Sequence, residues 1–217
     1  MKTRDIIRRT TRHLQGGALI SLIFVTLCSG CNREATPEPA PCHGASAYCD
    51  RTYDEMIFAV THNAMNAADE GWTAPNQIHG IAAQLEDGVR GLMLDVYEGS
   101  EDAVLCHSSC VLGKITLRDA LEIIRNFLEE NPREVVSIIF ESYAPAASVL
   151  TAFEESGCLG LTYAHEPAQP WPTLGEMAEK GQRLVVFTDH EGGTFPWYHD
   201  VWAHAWETHW SNETKED

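Results

Sequence analysis

The sequence predicts an α/β fold, a TIM-type (β/α) barrel over residues 42–217. Short apolar segments alternate with amphipathic stretches in this region, and a repeated strand and helix order is typical of α/β proteins. Residues 135–140 are apolar except for Ser137, a nearly continuous apolar run of the kind expected for a parallel strand with helices covering both faces of its sheet. Polar residues follow the predicted strands, which favours a barrel over an open sheet because barrels carry their functional residues at the carboxyl ends of the strands.

Apolar segments predict the strands one by one. They lie at residues 56–60, 91–96, 103–106, 135–140 and 184–187, with a sixth around 201–206. A complete barrel of this type commonly needs about 250 residues and has eight strands. We therefore expect the barrel to be incomplete at its C-terminus, and we interpret the polar ending 211–217 as a truncation.

Helices are predicted from apolar spacing and capping residues. The first would bury Ile78, Ile81, Ala82 and Leu85, and the second Leu117, Ala120, Leu121, Ile124 and Leu128. Thr116 is placed to cap the second helix, and residues 145–153 form a third. Thr173 with Glu176 makes a capping box for a fourth.

The N-terminus has the pattern of an export signal, assigned to residues 1–30. A basic leader precedes the apolar run 18–27, which is shorter than the roughly 20 residues of a membrane-spanning helix. Gly30 before Cys31 resembles a lipoprotein cleavage box, so Cys31 is a candidate for lipidation, with plain secretion and an uncleaved anchor as the alternatives. The proline-rich residues 31–41 are predicted to be an extended tether. The protein is therefore expected outside the cytoplasm, either anchored to a membrane through Cys31 or secreted.

The formal net charge of −17 restricts the partners of the protein. Nucleic acids and anionic membranes are held through clustered Lys and Arg, so this charge argues against binding either through a basic surface. A phosphate-bearing substrate would have to be held locally, by a metal ion or a few cationic side chains. We expect the protein to be a monomer.

Four of the seven cysteines lie in two close pairs, Cys42 with Cys49 and Cys106 with Cys110. Export would place them in an oxidising compartment, so both pairs are predicted to form short-loop disulfides. A metal site built from them is disfavoured because neither pair has the CxxC spacing. Cys158 is left without a partner.

Polar side chains follow five of the predicted strands. In chain order they are His62 with Asn63, Asp95, His107, Glu141 and Asp189. A single residue of this kind could be an ordinary strand-end cap. Five strands that end in this way indicate a site.

Several motifs together resemble the phospholipase C X domain, in its bacterial single-domain branch. They are THNAMN at 61–66, APNQIHGIAAQLEDGVRGLMLDVY at 74–97, LCHSSC at 105–110, VVSIIFESY at 135–143 and RLVVFTD at 183–189. The resemblance covers nearly all of the chain after the tether. It implies a barrel of the PLC-like phosphodiesterase type and a phosphoric diester hydrolase that acts on phosphatidylinositol or a similar phospholipid headgroup.

The resemblance also implies roles for individual residues. The family's general base corresponds to His62 and its general acid to His107, and a histidine pair can remove and deliver protons near neutral pH. The calcium ligands of its metal-dependent members correspond to Asn63, Asp95 and Glu141, all of them oxygen donors that suit a hard cation.

The motifs depart from the family pattern at two positions. Met93 stands where the metal-dependent members carry a further carboxylate, and Asp95 stands where the metal-independent members carry an arginine. Glu98 could compensate for Met93 only if its loop folds back toward the site.

Arg90, Asp189 and Trp206 are the candidates for substrate contact. Trp206 belongs to a set with Trp202 and Trp210 at four-residue intervals, a spacing that more often indicates packing than contact with lipid headgroups. Two rival functions stay open at this point. One is a glycerophosphodiester hydrolase or a sphingomyelinase D-like phosphodiesterase, and the other is a non-catalytic surface lipoprotein that binds a sugar or lipid headgroup.

Overall fold

A computed structural model describes residues 40–205, which form one sheet with helices packed on it. The strands are β1 (Val60–Thr61), β2 (Gly91–Tyr97), β3 (Val104–Leu105), β4 (Ile115–Thr116), β5 (Val136–Tyr143), β6 (Leu184–Thr188) and β7 (Tyr198–Asp200). The helices are α1 (Ile81–Glu86), α2 (Leu117–Glu130), α3 (Ala146–Glu155), α4 (Leu174–Lys180) and α5 (Val201–His204).

Five of the seven strands are parallel and neighbour one another in chain order. β1 pairs with β2, β2 with β5, β5 with β6, and β6 with β7. The short strands β3 and β4 are antiparallel additions beside the end of β2. This is the strand order of a (β/α) barrel, but β1 and β7 do not pair within residues 40–205, so the described sheet is open.

Side chains alternate between the two faces of the sheet, and each face has its own core. Leu92 and Leu94 of β2 pack on the first three helices, together with Ile138 of β5. Val185 and Phe187 of β6 point to the opposite face, which we call the inner face, where they pack with Tyr53 and residues of α4. Burial on both faces explains why residues 135–140 are apolar except for Ser137, whose buried hydroxyl is hydrogen-bonded to the Tyr53 hydroxyl at 2.6 Å.

The second, third and fourth helix predictions are confirmed, but the first needs correction. α1 begins only after Gly80, so Ile78 lies before it and is 71% exposed, and Ala82 is exposed on the outer side of the helix, while Ile81 and Leu85 are buried as predicted.

Thr116 caps α2 by accepting a hydrogen bond from the Asp119 amide at 3.0 Å, and all five apolar residues predicted for its buried face are fully buried. Both hydrogen bonds of the capping box between Thr173 and Glu176 are present at the start of α4. The third predicted helix is α3, which follows Pro145.

Three strand predictions need correction. The segment 56–60 joins the sheet only at its end, because Ile57 is 97% exposed and pairing starts at Val60. The predicted third strand, 103–106, is the antiparallel β3 and not a parallel barrel strand. The predicted sixth strand lies earlier, at β7, because Asp200 accepts a hydrogen bond from the Trp202 amide and begins α5 there.

Several sequence predictions lie outside the described residues. They are the export signal 1–30, Cys31, residues 31–39 of the tether, Trp206 and Trp210. Within residues 40–205, no helix is both long and apolar enough to cross a membrane.

Candidate active site

The carboxyl ends of β1, β2 and β5 meet around one cavity of about 270 Å³. It is lined by His62, Asn63, Asp95, Tyr97, His107, Ser108, Glu141 and Tyr143. Five of these residues are the histidines and oxygen donors selected from the sequence. Four of them come together because the carboxyl ends of parallel strands lie at the same edge of a sheet, and His107 reaches this edge from the antiparallel β3.

Asp95 and Glu141 are the two carboxylates of this cavity, Asp95 buried and Glu141 exposed. They are direct neighbours in the register between β2 and β5, and both side chains point to the inner face. Burial raises the pKa of Asp95, while its hydrogen bond with His107 opposes that rise. Glu141 accepts a hydrogen bond from the Tyr143 hydroxyl, and this bond raises the pKa of Tyr143 and keeps it a phenol.

The antiparallel strand β3 brings His107 to Asp95. After Leu105 the chain runs back along β2, and the amide of Cys106 donates to the Asp95 carbonyl at 3.3 Å. His107 Nδ1 then lies 3.1 Å from Asp95 Oδ2. With Nδ1–H donated to the carboxylate, the other ring nitrogen, Nε2, is the one that can exchange a proton with a ligand.

Asn63 links the two histidines. It is 1% exposed and has a φ of 50°, a left-handed conformation that Asn adopts more readily than most residues. The amide nitrogen must face Asp95, because the opposite orientation would place the carbonyl 2.9 Å from a carboxylate oxygen. The amide oxygen then accepts from His62 Nε2 at 3.2 Å, and it shares the single Nδ1–H of His107, 3.1 Å away, with the Asp95 carboxylate.

A disulfide closes the loop that carries His107. Cys106 and Cys110 are bonded to each other, and so are Cys42 and Cys49, as the sequence predicts. Cys158 is free and buried, and its thiol donates to the Leu121 carbonyl. The Cys106–Cys110 loop contains Ser108, with a φ of 61°, and so turns sharply beside the cavity.

The oxygen donors predicted for calcium fit a hard cation in kind and in position. Asn63, Asp95 and Glu141 all line the one cavity. Among residues 40–205, no group of three or more His, Cys, Asp or Glu side chains is arranged for a metal. Met93, in β2 two residues before Asp95, does not line the cavity and supplies no oxygen to it. Glu98 lines other cavities and does not supply one either.

The structure does not bring the other predicted contact residues to this cavity. Arg90 lies at the amino end of β2, at the opposite end of the sheet, where it bonds Glu134 at 2.7 Å. It lines a larger cavity of about 800 Å³ that contains none of the predicted catalytic residues. Asp189 uses Oδ1 to accept from the Ser142 amide at 2.8 Å and does not line the histidine cavity.

Two aromatic residues at the cavity were missed from the sequence. Tyr97 and Tyr143 end neighbouring strands and stack with their ring centroids 4.6 Å apart. Tyr143 is 54% exposed and presents its outer face at the mouth of the cavity. Their signal in the sequence was their position two residues beyond Asp95 and Glu141, since alternate residues of a strand share a face.

Fold and site together define an α/β barrel-type protein with a histidine pair at the carboxyl ends of its strands, and solved structures share that fold. The phosphatidylinositol-specific phospholipase C of Staphylococcus aureus aligns with a TM-score of 0.54 and 17% identity, over 69% of this chain and 52% of that one. The enzyme of the same name from Listeria monocytogenes aligns with a TM-score of 0.50 and 16% identity, over 64% and 53%.

The amino-acid sequence identifies the family. The family model PI-PLC X 1 matches residues 48–216, and the chain therefore belongs to the PI-PLC X family. A PI-PLC X domain-containing protein of Arabidopsis thaliana is 34% identical over 173 residues, and an uncharacterized secreted protein of Arthroderma benhamiae is 32% identical over 187 residues. The alignments cover 69% and 81% of this chain but only 40% and 42% of those relatives.

Proposed function

We propose that this protein is an exported phosphoric diester hydrolase that cleaves a phospholipid headgroup of the phosphatidylinositol type. The observation that carries the proposal is the contact of both imidazoles, His62 and His107, with one amide oxygen beside the buried Asp95 carboxylate. Two imidazoles at one open cavity can act as a base and an acid on two oxygens of the same phosphodiester.

The reaction is an attack by the hydroxyl next to the phosphodiester. His62 removes the proton of that hydroxyl, and its oxygen forms a bond to phosphorus. The bond between phosphorus and the glycerol oxygen breaks, and His107 delivers a proton to the departing oxygen. From phosphatidylinositol the products are a cyclic phosphate and diacylglycerol.

The hydrogen bonds suit this division of roles. Neutral His62 that donates Nε2–H to Asn63 keeps the lone pair of Nδ1 free to accept a proton. His107 donates Nδ1–H to Asp95, so the positive charge of its protonated ring is compensated by a carboxylate.

The test is phosphorus NMR of the products from phosphatidylinositol vesicles and, separately, from glycerophosphodiesters. A cyclic phosphate from phosphatidylinositol supports the proposal. Hydrolysis of glycerophosphodiesters alone, without a cyclic product, would assign the protein to the rival phosphodiesterase class. No turnover of any substrate would favour a non-catalytic binding protein.

We further propose that calcium binds through oxygens of Asp95, Glu141 and Asn63, with the Asn63 amide oxygen exchanging its hydrogen bonds to the two histidines for the ion. When bound there, the ion would neutralise negative charge on the phosphoryl oxygens. Isothermal titration of calcium into the protein should show binding that Glu141→Gln weakens and that Glu98→Gln leaves unchanged, since Glu98 lies outside the cavity. Equal binding by both variants, or activity unaffected by a chelator, would contradict a calcium site of this composition.

A further inference from the structure

Gln84 is a buried amide on a helix face that is otherwise apolar. It is 5% exposed. It lies three residues after Ile81 and directly before Leu85, and Ile81 and Leu85 are both buried in the core. An amide buried without hydrogen bonds would cost about 1–3 kcal/mol, so the partners of this side chain explain its presence there.

These partners lie at the end of β1, in the turn after it, and in the segment that leads into α1. Thr61 Oγ1 donates to Gln84 Oε1 at 2.6 Å. Gln84 Nε2 donates to the carbonyl of Ala64 at 2.8 Å and to that of His79 at 2.6 Å. Thr61 and Ala64 flank His62 and Asn63, so one side chain ties together both ends of the turn that carries them.

The turn needs this support because its conformation is unfavourable and its histidine is free on most sides. The left-handed conformation of Asn63 costs most residues about 1–2 kcal/mol and costs Asn less, but it is still unfavourable relative to ordinary backbone. His62 is exposed, so the direction of its ring depends on the backbone beneath it. The carbonyl of His62 is held separately, by Gln77 Nε2 at 2.6 Å.

We propose that Gln84 is a positioning residue of the site, which holds the turn of residues 61–64 so that His62 and Asn63 face Asp95 and His107. The inference rests on the proposed phosphodiesterase function. Gln84 does not line the cavity and so would act only through the turn.

The kinetic test is Gln84→Met, which keeps the volume and removes all three hydrogen bonds. Because a displacement of about 1 Å can cost roughly 10²-fold in rate, we expect kcat to fall by about 10- to 100-fold with little change in KM. In a His62→Ala background the same substitution should cost much less, since no base remains to be positioned and only Asn63 is affected. An equal loss in both backgrounds, or a loss confined to KM, would overturn the proposal.

Two further variants separate positioning from stability. Thr162→Val removes a comparable bond, from Thr162 Oγ1 to the Leu159 carbonyl at 2.8 Å, near the amino end of β6. It should lower the unfolding midpoint without lowering kcat. If Gln84→Met does not fold, Thr61→Val removes only one of the three bonds and should lower kcat in the same direction by a smaller factor.

A readout without substrate distinguishes failure of this inference from failure of the proposed function. Amide hydrogen exchange at Ala64, bonded to the Met93 carbonyl, and at Asn66, bonded to the Asn63 carbonyl, should be faster in Gln84→Met, while β5 amides keep their rates. Faster exchange in a protein that cleaves no phosphodiester would reject the function and retain the positioning role of Gln84. Unchanged exchange at both amides would reject that role, even in an active enzyme.

Discussion

His62 and His107 share the amide oxygen of Asn63 but differ in their other surroundings. His107 also contacts the buried carboxylate of Asp95, whereas His62 is exposed and has no carboxylate partner in the described residues. A carboxylate partner stabilises an imidazolium and so suits the group that arrives protonated. The asymmetry therefore supports an acid at position 107 and a base at position 62.

Replacing either histidine by alanine should lower turnover by roughly 10²–10⁴-fold and leave the fold intact, the usual range for loss of one general acid or base. The double variant should lose much less than the product of the two losses, because the two groups act in one proton relay. Steady-state kinetics with phosphatidylinositol vesicles measures both effects. His79→Ala is the matched control, since that ring contacts Asp69 and does not line the cavity.

A substrate with a good leaving group separates the two roles. Its departing oxygen needs no proton, so it should largely rescue His107→Ala and leave His62→Ala impaired. If both variants respond alike, the assignment of base and acid fails. If neither variant loses activity on the natural substrate, the site lies elsewhere.

The short antiparallel strand β3 and the disulfide after it act together to present His107. β3 has only two paired residues, and the loop beyond it is closed four residues later by Cys110. A loop of this length contributes about 2 kcal/mol through chain entropy, which is modest. Its larger effect should be on the position of the imidazole.

Replacing Cys106 and Cys110 together by serine should therefore lower kcat by about tenfold or more, beyond what its effect on stability explains. The matched control replaces Cys42 and Cys49, a bridge with a separation of seven residues that packs with Tyr53 on the inner face. That control should lose at least as much stability, measured by denaturant unfolding, and keep its kcat. Equal effects of the two pairs on kcat would contradict a positioning role for the Cys106–Cys110 bridge.

The inner face of the described sheet also contains a buried histidine, which ties the β7 end of the sheet to the segment before α4. His199 Nδ1 donates to the Val186 carbonyl at 2.8 Å, and Nε2 accepts from the His165 amide at 3.0 Å. Burial, with smaller contributions from the nearby rings of His204 and His165, lowers the pKa of His199 from 6.5 to about 4, although the hydrogen bond to the Val186 carbonyl opposes this shift. The folded protein therefore resists protonation of this ring.

The stability of the protein should consequently depend on pH below neutrality. The contribution of His199 is fully present above its unfolded pKa of 6.5 and is lost as the pH falls toward 4. The free energy of unfolding should drop by about 2 kcal/mol between pH 7 and pH 5 through this group. Urea unfolding at both pH values measures the drop.

His199→Gln should reduce that pH dependence, although it lowers stability at pH 7. The control His190→Gln changes an exposed ring near Glu191 and should keep the dependence of the wild type. A dependence that survives unchanged in His199→Gln would show that other groups cause it.

The amino-acid sequence was sufficient to predict the α/β class, the helices with their caps and five residues of the cavity. Four of these residues lie near or just after the carboxyl ends of strands that have a local apolar pattern: His62, Asn63, Asp95 and Glu141. Parallel strands bring their carboxyl ends to one edge of a sheet. A pattern within each segment therefore implied contacts between segments. Both disulfides could also be predicted from the sequence, because the two cysteines of each bridge are close in the chain.

Only the tertiary structure revealed the direction of β3, the stacking of Tyr97 on Tyr143 and the role of Gln84. A two-residue strand has no pattern that distinguishes parallel from antiparallel pairing, since both directions have the same alternation of side chains. Gln84 did leave a signal, a polar residue on a buried helix face, but its partners at Thr61 and Ala64 are about twenty residues away. Which buried polar groups meet depends on how the helix packs on the turn, and this packing is a long-range property that no local segment encodes.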